Sequence, residues 1–143
     1  MTPRFTKALL VAAVGLLAVT AFAVAKSPTI GVGTAEVKGH HEPVAVSSRG
    51  VTVYELAPES THHLVCTSAA CLSVWPPVKA SGKPSKAAGV TGRLGTVKRK
   101  GFTQVTLNGH PLYTFAGDSG RRGKAEGEGI NNFGGVWHVF KER

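Results

Sequence analysis

The chain is poor in the side chains that do chemistry. Of its 143 residues only eight are acidic, and one of these, Asp118, is the sole Asp. That leaves little material for the carboxylate pair that glycoside hydrolysis needs. G-x-S-x-G, H-E-x-x-H and phosphate-cradling Gly loops are absent, which removes the common nucleophile, zinc-protease and nucleotide signatures. There is no C-x-x-C-H, so no c-type haem attachment signal. Recognisable nucleic-acid modules are missing, and the basic residues are not interleaved with an aromatic stripe, so specific nucleic-acid recognition is not expected. Beyond the first 25 residues little has the 3.6-residue periodicity of an amphipathic helix. Together these absences argue against an enzyme.

A secretory signal peptide is expected at residues 1–25. Arg4 and Lys7 form a positive start, Ala8 to Val24 is apolar apart from Gly15 and Thr20, and Ala23-Val24-Ala25 is a small-x-small cleavage site. The alternative is an uncleaved membrane anchor, for which the apolar run is close to the short limit. No Cys follows the cleavage site, so lipid attachment there is not expected, and no transmembrane helix is expected after cleavage. The 118 residues from 26 to 143 suffice for one compact domain. Cleavage would leave 15 basic against eight acidic residues, a net charge of +7. A charge of this size suits anionic envelope polymers or lipid, met through a salt-sensitive field, or serves solubility alone. Cys66 and Cys71 are the only cysteines, and in an oxidising compartment an even count suggests a disulfide.

The other scarce residues fall into a pattern. Tyr54 and Tyr113 lie 59 positions apart, and the same shift places Gly50 on Gly109, Val53 on Leu112 and Leu56 on Phe115. Trp75 follows Tyr54 by 21 residues and Trp137 follows Tyr113 by 24. These are the only two Tyr and the only two Trp, so the chain reads as two related units, about 44–78 and 92–140. Residues 79–89, rich in Gly, Pro, Ser and Lys, read as their linker. Lys26 to Lys38 reads as a loose lead-in. Val44–Val46 and Val51–Leu56 alternate as strands about an Arg49-Gly50 turn. In the second unit, strands are expected over Arg93–Lys98, Phe102–Leu107, Leu112–Ala116 and Val136–Phe140, with Asn108-Gly109 as a type I′ hairpin turn.

The residues Tyr113, Phe115 and Asp118 carry a family resemblance. The stretch from Gln104 to Asp118, with Gly127-Glu128-Gly129 and Val136–Val139 after it, is similar to the bacterial secreted-repeat family of lipoproteins with a Tyr-x-aromatic-x-x-Asp motif. Cys66, Cys71 and Trp75-Pro76-Pro77 resemble that family's Cys, Cys, Trp-Pro-Pro signature. The resemblance runs from about Ala45 to Phe140 and implies no reaction, because the family's function is uncharacterised. The first copy departs from the motif, with Leu56 for the aromatic residue and Glu59 for the Asp. The family's usual lipid-bearing Cys is absent, which implies a soluble or loosely retained member.

Each motif residue has a structural reading. Alternation puts the Tyr113 and Phe115 rings on one face of a strand, where they can enter a core. Asp118 can accept backbone N–H bonds and fix the turn that follows. Trp75 and Trp137 are expected in the core, with Pro76-Pro77 stiffening the exit of the first. His62 and His63, near Cys66, form a candidate copper or zinc site with His40, His41, His110 and His138, although adjacent His on an extended chain face opposite ways and a disulfide offers no thiolate. Asp118, Glu126, Glu128, Asn131 and Asn132 offer oxygen in the Gly117–Gly135 loop, without EF-hand spacing and beside Arg121, Arg122 and Lys124.

The expected object is an exported, disulfide-stapled, all-β domain: two pseudo-repeated antiparallel hairpin units sharing one core, as a small sandwich or barrel-like fold. Its expected role is a non-catalytic envelope or extracellular binding or structural module without a cofactor, its basic loops meeting an anionic partner. The alternative is a periplasmic copper- or zinc-binding or redox-associated protein.

Overall fold

The structure, a computed structural model, describes residues 26–143, so the signal peptide expected at residues 1–25 lies outside the described residues. In chain order the strands are β1 (Ile30–Val37), β2 (His40–Ser47) and β3 (Tyr54–Leu56), then a short helix α1 (Ala69–Val74). There follow β4 (Leu94–Arg99), β5 (Phe102–Leu107), β6 (His110–Pro111), a 3₁₀ turn (Ala116–Asp118), β7 (Asn131–Asn132) and β8 (Gly135–Val139). They pair into three small antiparallel sheets, β1-β2, β3-β8-β7 and β4-β5-β6. The molecule is mostly β, with antiparallel sheets of two or three strands as expected, and among the described residues they form no closed barrel.

Period-two alternation explains β2 and β3. Val44, Val46, Tyr54 and Leu56 are buried in one apolar cluster with Trp75, Tyr113 and Trp137. Ala45 and Val53, pointing the other way, are buried in a second cluster with Ile30, Val105, Leu107 and Leu112. The β2–β3 segment is thus a wall between two cores, apolar on both faces. Asn108 and Gly109 have φ of 53° and 80°, the left-handed pair a type I′ turn demands, and β5 turns there into β6.

Two expectations are corrected. The loose lead-in is β1, paired with β2 along its full length from Ile30↔Ser47 to Val37↔His40. Its apolar pattern is weak because Val46 covers Gly33: a Cβ there would lie 2.8 Å from Val46 Cγ1. The return strand expected over Leu112–Ala116 does not form there; the partner of β5 is the two-residue strand His110–Pro111 just before it. Beyond it Tyr113 leaves the β5 ladder to bridge Tyr54 and Pro77, and Ala116–Asp118 is 3₁₀. Among the described residues α-helix is limited to the six residues of α1, in keeping with the little helix expected. Ser68 starts it by accepting the Cys71 N–H at 3.1 Å, an N-cap that the apolar pattern does not reveal.

Candidate functional site

The two motifs meet at their tyrosines. Tyr54 N–H donates to Tyr113 O at 2.8 Å, and Tyr113 N–H donates back to Tyr54 O at 3.0 Å. The equivalent residues of the two repeats therefore pair antiparallel with each other, as a local pseudo-twofold relation requires.

The side chains follow the same exchange. Tyr54 OH donates to Asp118 Oδ2 at 2.6 Å, and Tyr113 OH donates to Glu59 Oε2 at 2.7 Å. Each tyrosine thus uses the carboxylate of the other repeat. The second oxygen of each carboxylate gathers backbone. Asp118 Oδ1 accepts the Glu126 N–H at 2.9 Å, and Glu59 Oε1 accepts the N–H groups of Val65 and Cys66 at 2.9 and 3.0 Å. Each acidic residue pins the loop that follows it and clasps the opposite unit. Tyr54, Tyr113 and Asp118 are fully buried and Glu59 is nearly so. Burial first, then the bond to Asp118 and its charge, push the Tyr54 phenol far above its ordinary range. Burial and Glu59 do the same to Tyr113, against the opposing pull of Arg99. Burial also raises Asp118 above the usual carboxylate range, against the lowering effect of the bonds from Tyr54 and Glu126.

The aromatic rings complete the exchange. Trp75 and Trp137 stack with centroids 3.8 Å apart and planes 6° from parallel. Tyr54 meets Trp75 edge-on at 5.5 Å, and Tyr113 meets Trp137 edge-on at 5.1 Å. Asn132 Oδ1 accepts both indole N–H groups, at 3.2 Å from Trp75 and 2.8 Å from Trp137, so neither buried donor is left unpaired. Phe115, half-buried, stacks on Trp75 at 4.5 Å. The tolerance is small: a Cβ on Gly127 would lie 2.9 Å from both Trp75 and Tyr54. Leu56 is buried in the same cluster, opposite Trp137 in the β3–β8 register.

Cys66 and Cys71 form a disulfide, their Cα atoms 5.6 Å apart. It ties the loop held by Glu59 to α1. Among the described residues, no three His, Cys, Asp or Glu side chains converge as metal ligands. His62, His63, His40 and His41 are exposed. His110 Nδ1 lies 3.0 Å from Glu55 Oε2, close enough for attraction but off the line of a hydrogen bond. Glu55 is raised above the usual carboxylate range by burial, against the lowering effect of His110 and His138. Glu128 takes His138 Nδ1 at 3.0 Å and the Val139 N–H at 2.7 Å. Asp118, Glu128 and Asn132, oxygen donors of the Gly117–Gly135 segment, thus serve internal bonds.

Arg99 has no place in the repeat pattern and was not singled out by the sequence. Its Nη1 donates to Tyr113 OH at 3.1 Å and to Gln104 Oε1 at 2.6 Å, and its Nη2 donates to Cys66 O. The guanidinium links the Glu59–Tyr113 pair to the disulfide loop. The only available signal was its place next to the Lys100-Gly101 turn, within Lys98-Arg99-Lys100.

No curated protein and no solved structure matches the chain. The match to a family model covers the second unit, from Gly95 in β4 through Tyr113, Phe115, Asp118 and Trp137, and the first copy of the motif lies outside it. That family, matched over residues 95–141, is the one described as a secreted repeat of unknown function.

Proposed function

We propose that this is an exported, non-catalytic binding module, soluble rather than lipid-anchored, that meets an anionic component of the cell envelope or its surroundings through its basic surface. One observation carries the reading. The polar groups of the two motifs, two phenols and two carboxylates, are buried and bonded to one another and to backbone. Their roles are filled within the fold, whereas the excess of basic over acidic residues leaves positive charge with no acidic residue to balance it. Exposed charges attract a polyanion through a field screened over about 10 Å at 0.1 M salt. The test is retention of the mature protein on a sulfated-polysaccharide matrix while salt rises from about 20 to about 500 mM. Steep loss of retention is expected, and salt-independent behaviour removes the reading.

A further inference from the structure

The net positive charge is not spread evenly along the chain. Residues 60–117, between the two motif carboxylates, contain seven basic residues, from Lys79 to Lys100, and no acidic one. Residues 26–59 and 118–143 together carry eight basic and eight acidic residues and cancel. The whole net charge of the mature chain therefore belongs to one continuous segment, which linear dispersion of the basic residues conceals.

Within that segment the β4–β5 hairpin tip and α1 enclose an open groove of about 430 Å³. Leu64, Leu72 and Phe102 give it an apolar lining, and Lys98, Arg99 and Lys100 stand beside them. Lys98 and Lys100 are exposed, whereas Arg99 is half-buried. Arg99 is also fixed in place by Gln104, Tyr113 and Cys66 O, so its charge is preorganised. The Phe102 ring has two cations near it, Lys79 Nζ 5.2 Å and Arg99 Cζ 5.7 Å from its centroid. The opposite wall is held by the Cys66–Cys71 disulfide and by Glu59, which grips the Val65 and Cys66 N–H groups. The groove lies within the usual size range of ligand clefts, with the usual combination of apolar lining and few charged groups.

We infer that this groove binds an anionic lipid, its acyl chain along Leu64, Leu72 and Phe102 and its acidic head between Lys98 and Lys100. Charge complementarity selects the head. The apolar lining selects a chain over a bare anion or a hydrated polysaccharide, neither of which gains from apolar contact. The inference rests on the anionic-partner reading above and gives it a place and a chemical class.

The experiment is calorimetric titration of the mature protein with monomeric dodecyl phosphate at low salt, beside inorganic phosphate and uncharged dodecyl maltoside. Saturable one-to-one uptake of dodecyl phosphate is expected, with far weaker response to the other two. Lys98→Gln/Lys100→Gln should weaken it by roughly tenfold to thirtyfold, given the usual worth of a Lys beside an anionic headgroup. Leu64→Gln, outside the packed core, should weaken it too, while Arg121→Gln/Arg122→Gln should not. Near-ultraviolet dichroism of the Trp75–Trp137 pair reports that each variant has kept its fold. Equal weakening by both charge pairs, equal binding of inorganic phosphate, or no uptake of dodecyl phosphate by the wild type overturns the groove. If uptake fails while salt-sensitive retention on sulfated polysaccharide persists, the groove falls and the anionic-partner reading stands. If both fail, both fall.

Discussion

Glu59 and Asp118 stand at equivalent places in the two repeats and perform the same two tasks, yet their neighbourhoods differ. Each binds the tyrosine of the opposite unit, and each holds the backbone of the loop that follows. On the Glu59 side the tyrosine also accepts a bond from Arg99, and the pinned loop is closed by a disulfide. On the Asp118 side the tyrosine accepts only a backbone N–H, from Gly127 at 3.3 Å, and the loop carries no covalent tie. The first unit has Leu56 and Glu59 where the second has Phe115 and Asp118, and it has two further supports, Arg99 and the disulfide. The second unit keeps the full motif and relies on it. The two clasps share one pattern, and only the one reinforced by Arg99 borders the basic groove.

The strongest way to break the comparison is to attack what the halves share. Trp75→Ala and Trp137→Ala should each cost about 3–5 kcal/mol, the usual loss for truncating a large buried aromatic. Because the rings stack on each other, the double variant should cost less than the sum of the two. Urea unfolding of the four proteins measures this. Strict additivity would mean that the stack contributes nothing beyond the burial of each ring.

The tyrosines test whether the supports matter. Tyr54→Phe leaves a buried Asp118 oxygen and the Gly127 N–H without their partner. A loss toward the upper end of about 1–3 kcal/mol is expected. Tyr113→Phe strips Glu59 Oε2 in the same way, but Glu59 keeps two backbone N–H donors and Arg99 keeps Gln104 and Cys66 O. Its loss should be the smaller of the two. Equal losses in chemical denaturation would show that the Arg99 support is energetically idle.

Removing the disulfide sharpens the comparison from the other side. Cys66→Ser/Cys71→Ser should cost about 2 kcal/mol, given the short loop it closes. The damage should be confined to the first unit, so amide exchange should quicken around Val65 to Leu72 and not around Glu126. Uniform loss of protection would mean that the two clasps do not act separately.

The sequence made part of this legible. Single occurrences of Tyr and Trp in each unit exposed the repeat, the Asn108-Gly109 pair fixed a hairpin, and alternation placed β5 and β8. Spacing within a repeat could not show that each carboxylate serves the opposite tyrosine, because that contact spans 64 residues in one case and 54 in the other. β1 was hidden for a local reason: a glycine under Val46 breaks the apolar alternation that marks a strand. The departure of Tyr113 from its hairpin was hidden for a distant one, since its new partners, Tyr54 and Pro77, come from the first unit. Asp118 was read as a turn-fixing acceptor, and it does accept a backbone N–H, although from Glu126 across a longer loop.

The smallest expected effect concerns the proton on Asp118. Burial raises this carboxyl, and the bonds from Tyr54 and the Glu126 N–H only partly offset it, so the folded state holds the proton more tightly than the unfolded chain does. The sign of the linkage follows from that. The contribution of Asp118 to stability is complete below the ordinary carboxyl range and is lost as pH rises through its raised folded value. Asp118→Asn cannot titrate there. It keeps an oxygen that can accept from Tyr54, but sets an amide N–H group against the Glu126 N–H if the present orientation is retained. Measured by urea unfolding from pH 7 to pH 4, the wild type should therefore gain stability relative to Asp118→Asn as the medium is acidified, by less than Tyr54→Phe costs. A difference that moves the other way would mean that the ionised carboxylate, held by its two donors, is the form the fold prefers. Desolvation would then be the weaker force at this clasp.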